Sequence, residues 1–262
     1  MPEGDTVWLT AHRLNKALAG EALTVAELRV PALATTDLTG MAVLEVIARG
    51  KHLLAHLDSG LTLHSHLRMD GSWYISPAGT RAGRYPDHMI RALLGNTTWL
   101  ATGYRVHDLE LLATTDEPRL VAHLGPDLLG PDWDAAEAQR RLLSQPGRAI
   151  GEALLDQRNL AGIGNLYKSE TLFITGVHPW TSVGDASNLA AVISTAHRLL
   201  RANRDHPAQS TTGLTRRGQE HWVYERAGQP CQRCKAPIAQ AMQGEPARER
   251  STYWCPRCQP AV

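Results

Sequence analysis

The chain starts Met1-Pro2-Glu3-Gly4-Asp5-Thr6. Methionine before so small a residue is normally trimmed, which would leave a secondary amine beside a carboxylate. An α-amino group has a pKa near ~8, so a usable fraction is uncharged at neutral pH. Such an amine can attack an electrophilic carbon, for example a sugar C1′, and form an iminium without any lysine having to be desolvated. The structural alternative is a proline in the first turn of a helix with Glu3 complementing the helix dipole.

All four cysteines fall in the pattern Cys231-x2-Cys234-x20-Cys255-x2-Cys258. Two such knuckles can place four thiolates at the corners of a tetrahedron, and the spacing predicts one structural Zn2+ rather than a redox pair or an iron–sulfur site. A closed four-sulfur site has no open coordination position, so reaction chemistry has to lie elsewhere. Between the knuckles, residues 248–254 alternate like a hairpin strand and carry Arg248 and Arg250. They form either a solvated basic turn or a contact to a nucleic-acid backbone.

The elements that must position these groups follow from periodicity. Residues 5–19 read as an amphipathic helix with Val7, Ala11, Leu14 and Leu18 on one face and Gly20 as its stop. From about residue 22 to 112 the pattern is short strands punctuated by glycine and proline, predicting a β-sandwich. After Gly130-Pro131 the period turns helical, over about 134–144, 149–157, 165–175 and 186–203. A helix ending at Asn159, a turn through Gly162 and Gly164, and a helix beginning at Asn165 make a helix–turn–helix unit. Asn165 suits a capping position, and the free amides there suit an anion. Lys168 on the same helix is either a surface charge or a backbone contact. Residues 205–220 read as a mobile loop or linker.

The 262 residues and 43% apolar content suit a globular chain with ample core, and no apolar run is long enough to span a bilayer. The opening is acidic, unlike a secretory signal, so a cytoplasmic location is expected. Net charge is only +1, but residues 201–262 hold ten basic side chains against five acidic ones, a candidate electrostatic footprint.

Three separated segments then agree. Pro2-Glu3-Gly4-Asp5-Thr6, residues 154–170 (LLDQRNLAGIGNLYKSE) and Arg250-Ser251-Thr252-Tyr253-Trp254-Cys255 each resemble a motif of the formamidopyrimidine-DNA glycosylase and endonuclease VIII family. The resemblance runs from residue 2 to about 259 and is nearer the endonuclease VIII branch. It implies an α+β multidomain chain: an N-terminal helix plus β-sandwich (1–118), a helical helix-two-turns-helix domain (119–222) and a zinc ribbon finger (223–262). It further implies a monomeric, nucleoid-associated enzyme of bacterial type that acts on damaged DNA, with one zinc ion and no membrane partner. By that resemblance Pro2 is the Schiff-base nucleophile and Glu3 the acid that shuttles protons. Lys51 donates a proton in β-elimination, and Arg250 serves δ-elimination. Asn165 and Arg250 grip phosphates beside the lesion, Lys168 is a further backbone contact, and Arg68 and Met69 are candidates to fill the void of an extruded base.

The 8-oxoguanine-directed branch also uses an arginine and a phenylalanine from a second loop. The single phenylalanine here, Phe173, lies in the helical region, and residues 101–112 resemble the endonuclease VIII branch. Oxidised pyrimidines are therefore the expected substrates. The alternatives are an 8-oxoguanine or formamidopyrimidine glycosylase of the same fold, and a catalytically silent damaged-DNA-binding protein. The run Leu67-Arg68-Met69-Asp70 departs from the usual void-filling sequence of either branch. His123 stands where better-known endonuclease VIII sequences carry arginine.

Overall fold

The computed structural model describes residues 2–80 and 85–261. Met1, on which the trimming expectation falls, lies outside the described residues. The chain divides into two compact units, one ending at His123 and the other beginning at Leu124.

In the first unit helix α1 (Gly4–Leu18) follows Glu3, its N-cap, and buries Val7, Ala11, Leu14 and Leu18. Asp5 in the first turn and Lys16 in the last oppose the helix dipole. Among the described residues eight strands follow: β1 (Val25–Leu28), β2 (Val43–Arg49), β3 (His52–Leu57), β4 (Leu61–His66), β5 (Ser72–Pro77), β6 (Ile90–Gly95), β7 (Trp99–Tyr104) and β8 (Asp108–Ala113). They form two antiparallel sheets of order β1-β6-β7-β5 and β2-β3-β4-β8. One core joins α1 to both: Leu14 and Leu18 meet Val46, Leu53, Ala55 and Leu63 from one sheet and Ala92, Leu94 and Ala101 from the other. Since strand side chains alternate, burying Leu53, Ala55 and Leu63 turns His52, His56, His64 and His66 to the opposite face. The β2–β3 turn is only Gly50-Lys51, and Gly50 has φ +59°. A two-residue reversal that matches strand twist needs a left-handed first position, which glycine supplies without strain. The short helix α2 (Pro118–Val121) ends the unit.

The second unit holds α3 (Ala135–Leu143), α4 (Ile150–Leu155), α5 (Asn165–Thr175), α6 (Leu189–Asn203) and the hairpin β9 (Ala239–Gln243) with β10 (Arg250–Trp254). Asp134 caps α3 by accepting from the amides of Ala136 and Glu137, a contact type worth about 1 kcal/mol. Ile150, Leu154, Leu166, Leu172, Val192 and Leu200 form its main core, while Phe173, Val223, Cys231, Ile238 and Cys255 form a smaller one under the hairpin.

Two helix ends differ from the sequence expectation. Helix α4 stops at Leu155, not Asn159, because the Asp156 side chain accepts from the Arg158 amide and so competes with the helical bond. Gly164, not Asn165, is the N-cap of α5. Residues 205–220 are also more than a linker: Thr211 and Thr212 donate their amides to the Glu220 carbonyl, and Asn203 holds Ser210 by its amide and its carbonyl. Among the described residues no helix is long and apolar enough to cross a membrane.

Candidate functional site

In the first unit Pro2 is half-buried and Glu3 is fully buried, at 0% exposure. Glu3 has extended backbone (φ −118°, ψ −174°), and its carbonyl accepts the Val7 amide at 3.0 Å, whereas its carboxyl does not cap the helix. The first turn of α1 therefore takes its bond from the Glu3 main chain and leaves the acid group to the interior beside Pro2. Lys51 is half-buried at the β2–β3 turn, next to His52.

Around Lys51 the sheet face gathers histidines that sequence reasoning passed over. His52 Nδ1 and His64 Nε2 lie 2.9 Å apart, and the His52 ring meets His66 edge-on with centroids 5.2 Å apart. Burial, followed by the neighbouring histidines His64 and His66, pushes His52 down to about 3. Burial, with Arg68 next, pushes His66 down to about 4, and burial also lowers His64. All three rings are neutral at pH 7. The signal was present in the sequence as histidines at one parity of two paired strands, His52 opposite His66, with His64 two residues earlier. With Arg68, Asp108 and Glu110 they line a cavity of about 680 Å3. Arg68 adopts φ +49° and pairs with Asp108, and Met69 beside it is 63% exposed, so Met69 is not core filler.

In the second unit the turn between α4 and α5 is stitched by one side chain. The Gln157 amide nitrogen donates to the carbonyls of Leu155 and Ile163, and its oxygen accepts the Gly162 amide. Asp156 takes bonds from Arg158 and Arg148, and these guanidinium groups, Arg158 first, hold its carboxyl far below the usual range. Arg148, Arg158, Arg248 and Arg250 line a cavity of about 540 Å3 together with Glu152 and Glu245. Arg250 is exposed there at the start of β10.

Asn165 and Lys168 are placed otherwise than a surface reading suggests. The Asn165 amide nitrogen donates to the Ser251 carbonyl at 2.6 Å, while its buried oxygen has no hydrogen-bond partner among the described residues. Lys168 is 0% exposed, and its ammonium donates to Thr252 Oγ1 at 2.6 Å. Neither a surface charge nor a direct backbone contact describes it. Glu170, equally buried, accepts the amides of Trp222, Val223 and Tyr224 and the hydroxyl of Thr211, which ties the 211–224 segment to α5.

The four cysteine sulfurs lie within 4.8 Å of one another, the one set of three or more potential metal donors so arranged among the described residues. The Cys231–Cys258 and Cys234–Cys255 separations are 3.9 and 3.4 Å. Four thiolates about 2.3 Å from a tetrahedral ion would be about 3.8 Å apart, so the set fits a metal ion. The Ala236 amide draws the Cys234 thiol down to about 7, whereas burial pushes Cys258 up to about 12.

The family description Formamidopyrimidine-DNA glycosylase N-terminal domain matches residues 1–102, and Formamidopyrimidine-DNA glycosylase H2TH domain matches residues 124–212. Fold and site thus define a chain of the helix-two-turns-helix glycosylase class. The probable endonuclease 8 2 of Streptomyces coelicolor is 56% identical over 261 residues, 99% of this chain and 94% of that protein. The DNA-(apurinic or apyrimidinic site) lyase Nei2 of Mycolicibacterium smegmatis is 44% identical over the full length of both. A Lactococcus lactis formamidopyrimidine-DNA glycosylase, solved non-covalently bound to DNA with an abasic site, shares the fold with TM-score 0.79 and 23% identity over 99% of this chain and all of that one. The chain belongs to the formamidopyrimidine-DNA glycosylase and endonuclease 8 family.

Proposed function

We propose that this chain excises oxidised pyrimidines from DNA through a Schiff base on Pro2 and then cleaves the strand by β,δ-elimination. As a member of its family it is a DNA glycosylase and AP lyase of base excision repair. The observation that carries the Schiff-base assignment is a carboxyl group removed from water at Glu3, directly after a half-buried proline. A carboxyl group placed there can protonate the opening sugar ring and then accept the C2′ proton.

The Pro2 nitrogen attacks C1′ as the base departs with the glycosidic electron pair and the amine proton; Glu3 then protonates O4′ as the C1′–O4′ bond opens, and the resulting iminium acidifies the C2′ proton. Glu3 accepts that proton, the C3′–O bond breaks and the 3′-phosphate leaves. Lys51 donates a proton in this β-elimination. Arg250 then meets the phosphate that departs in δ-elimination and stabilises its charge. Asn165 supplies a phosphate contact, Lys168 acts from inside the protein, and Arg68 and Met69 enter the void of the extruded base.

The pyrimidine preference is supported by Phe173. It is buried in α5, stacked on Trp222 and covered by Arg233, and so is removed from any role on a loop. The four cysteines are assigned one structural zinc, and the working form is a monomer in the cytoplasm at the nucleoid. The test is a lesion panel. DNA bearing 5-hydroxyuracil or thymine glycol should be excised faster than 8-oxoguanine opposite cytosine, with both elimination products. The reverse order would assign the purine branch, and binding without cleavage would assign a silent damage binder.

A further inference from the structure

Helix α5 grips β10 at two consecutive residues immediately after Arg250. Asn165 and Lys168, three apart and so on one helix face, hold the Ser251 carbonyl and the Thr252 hydroxyl. The bonds beyond Lys168 run in one direction. An ammonium only donates, so the Thr252 hydroxyl accepts from Lys168 and donates to Gln243 Oε1 at 3.0 Å. The Gln243 amide nitrogen then donates to the Pro179 carbonyl at 2.8 Å. Gln243 is also the ladder partner of Arg250 on β9. Its side-chain oxygen lies against Gly151 of α4, where an added Cβ would stand 2.3 Å from it. Lys168, Thr252 and Gln243 are all buried. Removing one member would leave a buried polar group unsatisfied, so the chain fixes one register of the hairpin.

We propose that Lys168 is a positioning residue: through Thr252 and Gln243 it locks the β9–β10 hairpin against α4 and α5 and so sets where Arg250 is presented. It touches no substrate. The proposal rests on Arg250 serving δ-elimination only for its effect on products, and two readouts separate the two claims.

The first is amide hydrogen exchange of the zinc-loaded full chain. Lys168→Met and Thr252→Val should each speed exchange at Ser251 and Thr252 by about tenfold or more, with α6 unchanged and zinc content at the wild-type level, and Lys168→Arg should restore much of the protection. Unchanged exchange in the variants that fold overturns the proposal whatever the activity. The second is the ratio of δ to β product on abasic-site DNA, with kcat and KM measured for each variant. Lys168→Met should lower the ratio and kcat while KM stays near wild type, and should add nothing in an Arg250→Ala background. An equal loss in both backgrounds overturns action through Arg250. If Arg250→Ala alone leaves the ratio unchanged while exchange still rises in Lys168→Met, the role of Arg250 fails and the positioning of the hairpin stands.

Discussion

Three neutral histidines packed beside Lys51 link local structure to pH. Unfolded, His52, His64 and His66 take up protons as pH falls below about 6.5. Folded, His52 and His66 resist until about 3 and about 4. The unfolded chain therefore binds more protons in that window, so stability present above about pH 6.5 is lost as pH falls toward those lower values. The urea midpoint of the first unit should drop between about pH 7 and about pH 5, and His52→Gln should flatten the profile. A profile as steep in the variant would show that the acid sensitivity arises elsewhere. This cluster also shows how a site can be half legible. Pro2, Glu3 and Lys51 stand out by residue type and motif, whereas the histidines become a group only once β3 and β4 are in register.

At the scale of elements, one close approach controls the glycine turn. A Cβ at Gly125 would lie 2.6 Å from the carbonyl carbon and oxygen of Asn159, both main-chain atoms that cannot swing aside. Gly125→Ala should therefore cost about 1–3 kcal/mol by overpacking, read as a lower melting temperature and weaker binding to abasic-site DNA. A wild-type melt would contradict the packing argument.

Strong local signals gave most elements. The apolar spacing of α1 and the alternation of β10 each gave bounds within about a residue or two of the observed ones. What failed depended on partners distant in sequence. Lys168 is charged and so reads as surface, yet its hydroxyl partner is at Thr252. Asn165 reads as a cap, yet its amide is drawn to Ser251. The 205–220 segment has few apolar residues, and the acid that ties its end down, Glu170, sits on α5. No periodicity records such contacts.

Across the whole molecule, the separate cores of the two units predict separable responses. Because four thiols held this close need a cation to stay ionised together, metal loss should act on the hairpin first. Chelation, or Cys255→Ser, should release one zinc per chain, abolish DNA binding and lower the melting of the second unit, while the β-sandwich keeps its own transition. Concerted melting of both units on zinc loss would contradict independent cores. DNA affinity should also fall steeply with added salt, as expected if the ten basic side chains of residues 201–262, against five acidic ones, face phosphates.

Borohydride trapping on abasic-site DNA probes the proposed role of the Pro2 nitrogen as nucleophile. Reduction should give a covalent complex whose peptide map places the sugar on Pro2. A chain that keeps residues before Pro2 should trap at least about a hundredfold less while binding the same DNA, because an acylated nitrogen cannot form an iminium and a displaced one cannot reach C1′. Trapping and strand cleavage by the extended chain at the wild-type rate would rule out the Pro2 nitrogen as nucleophile.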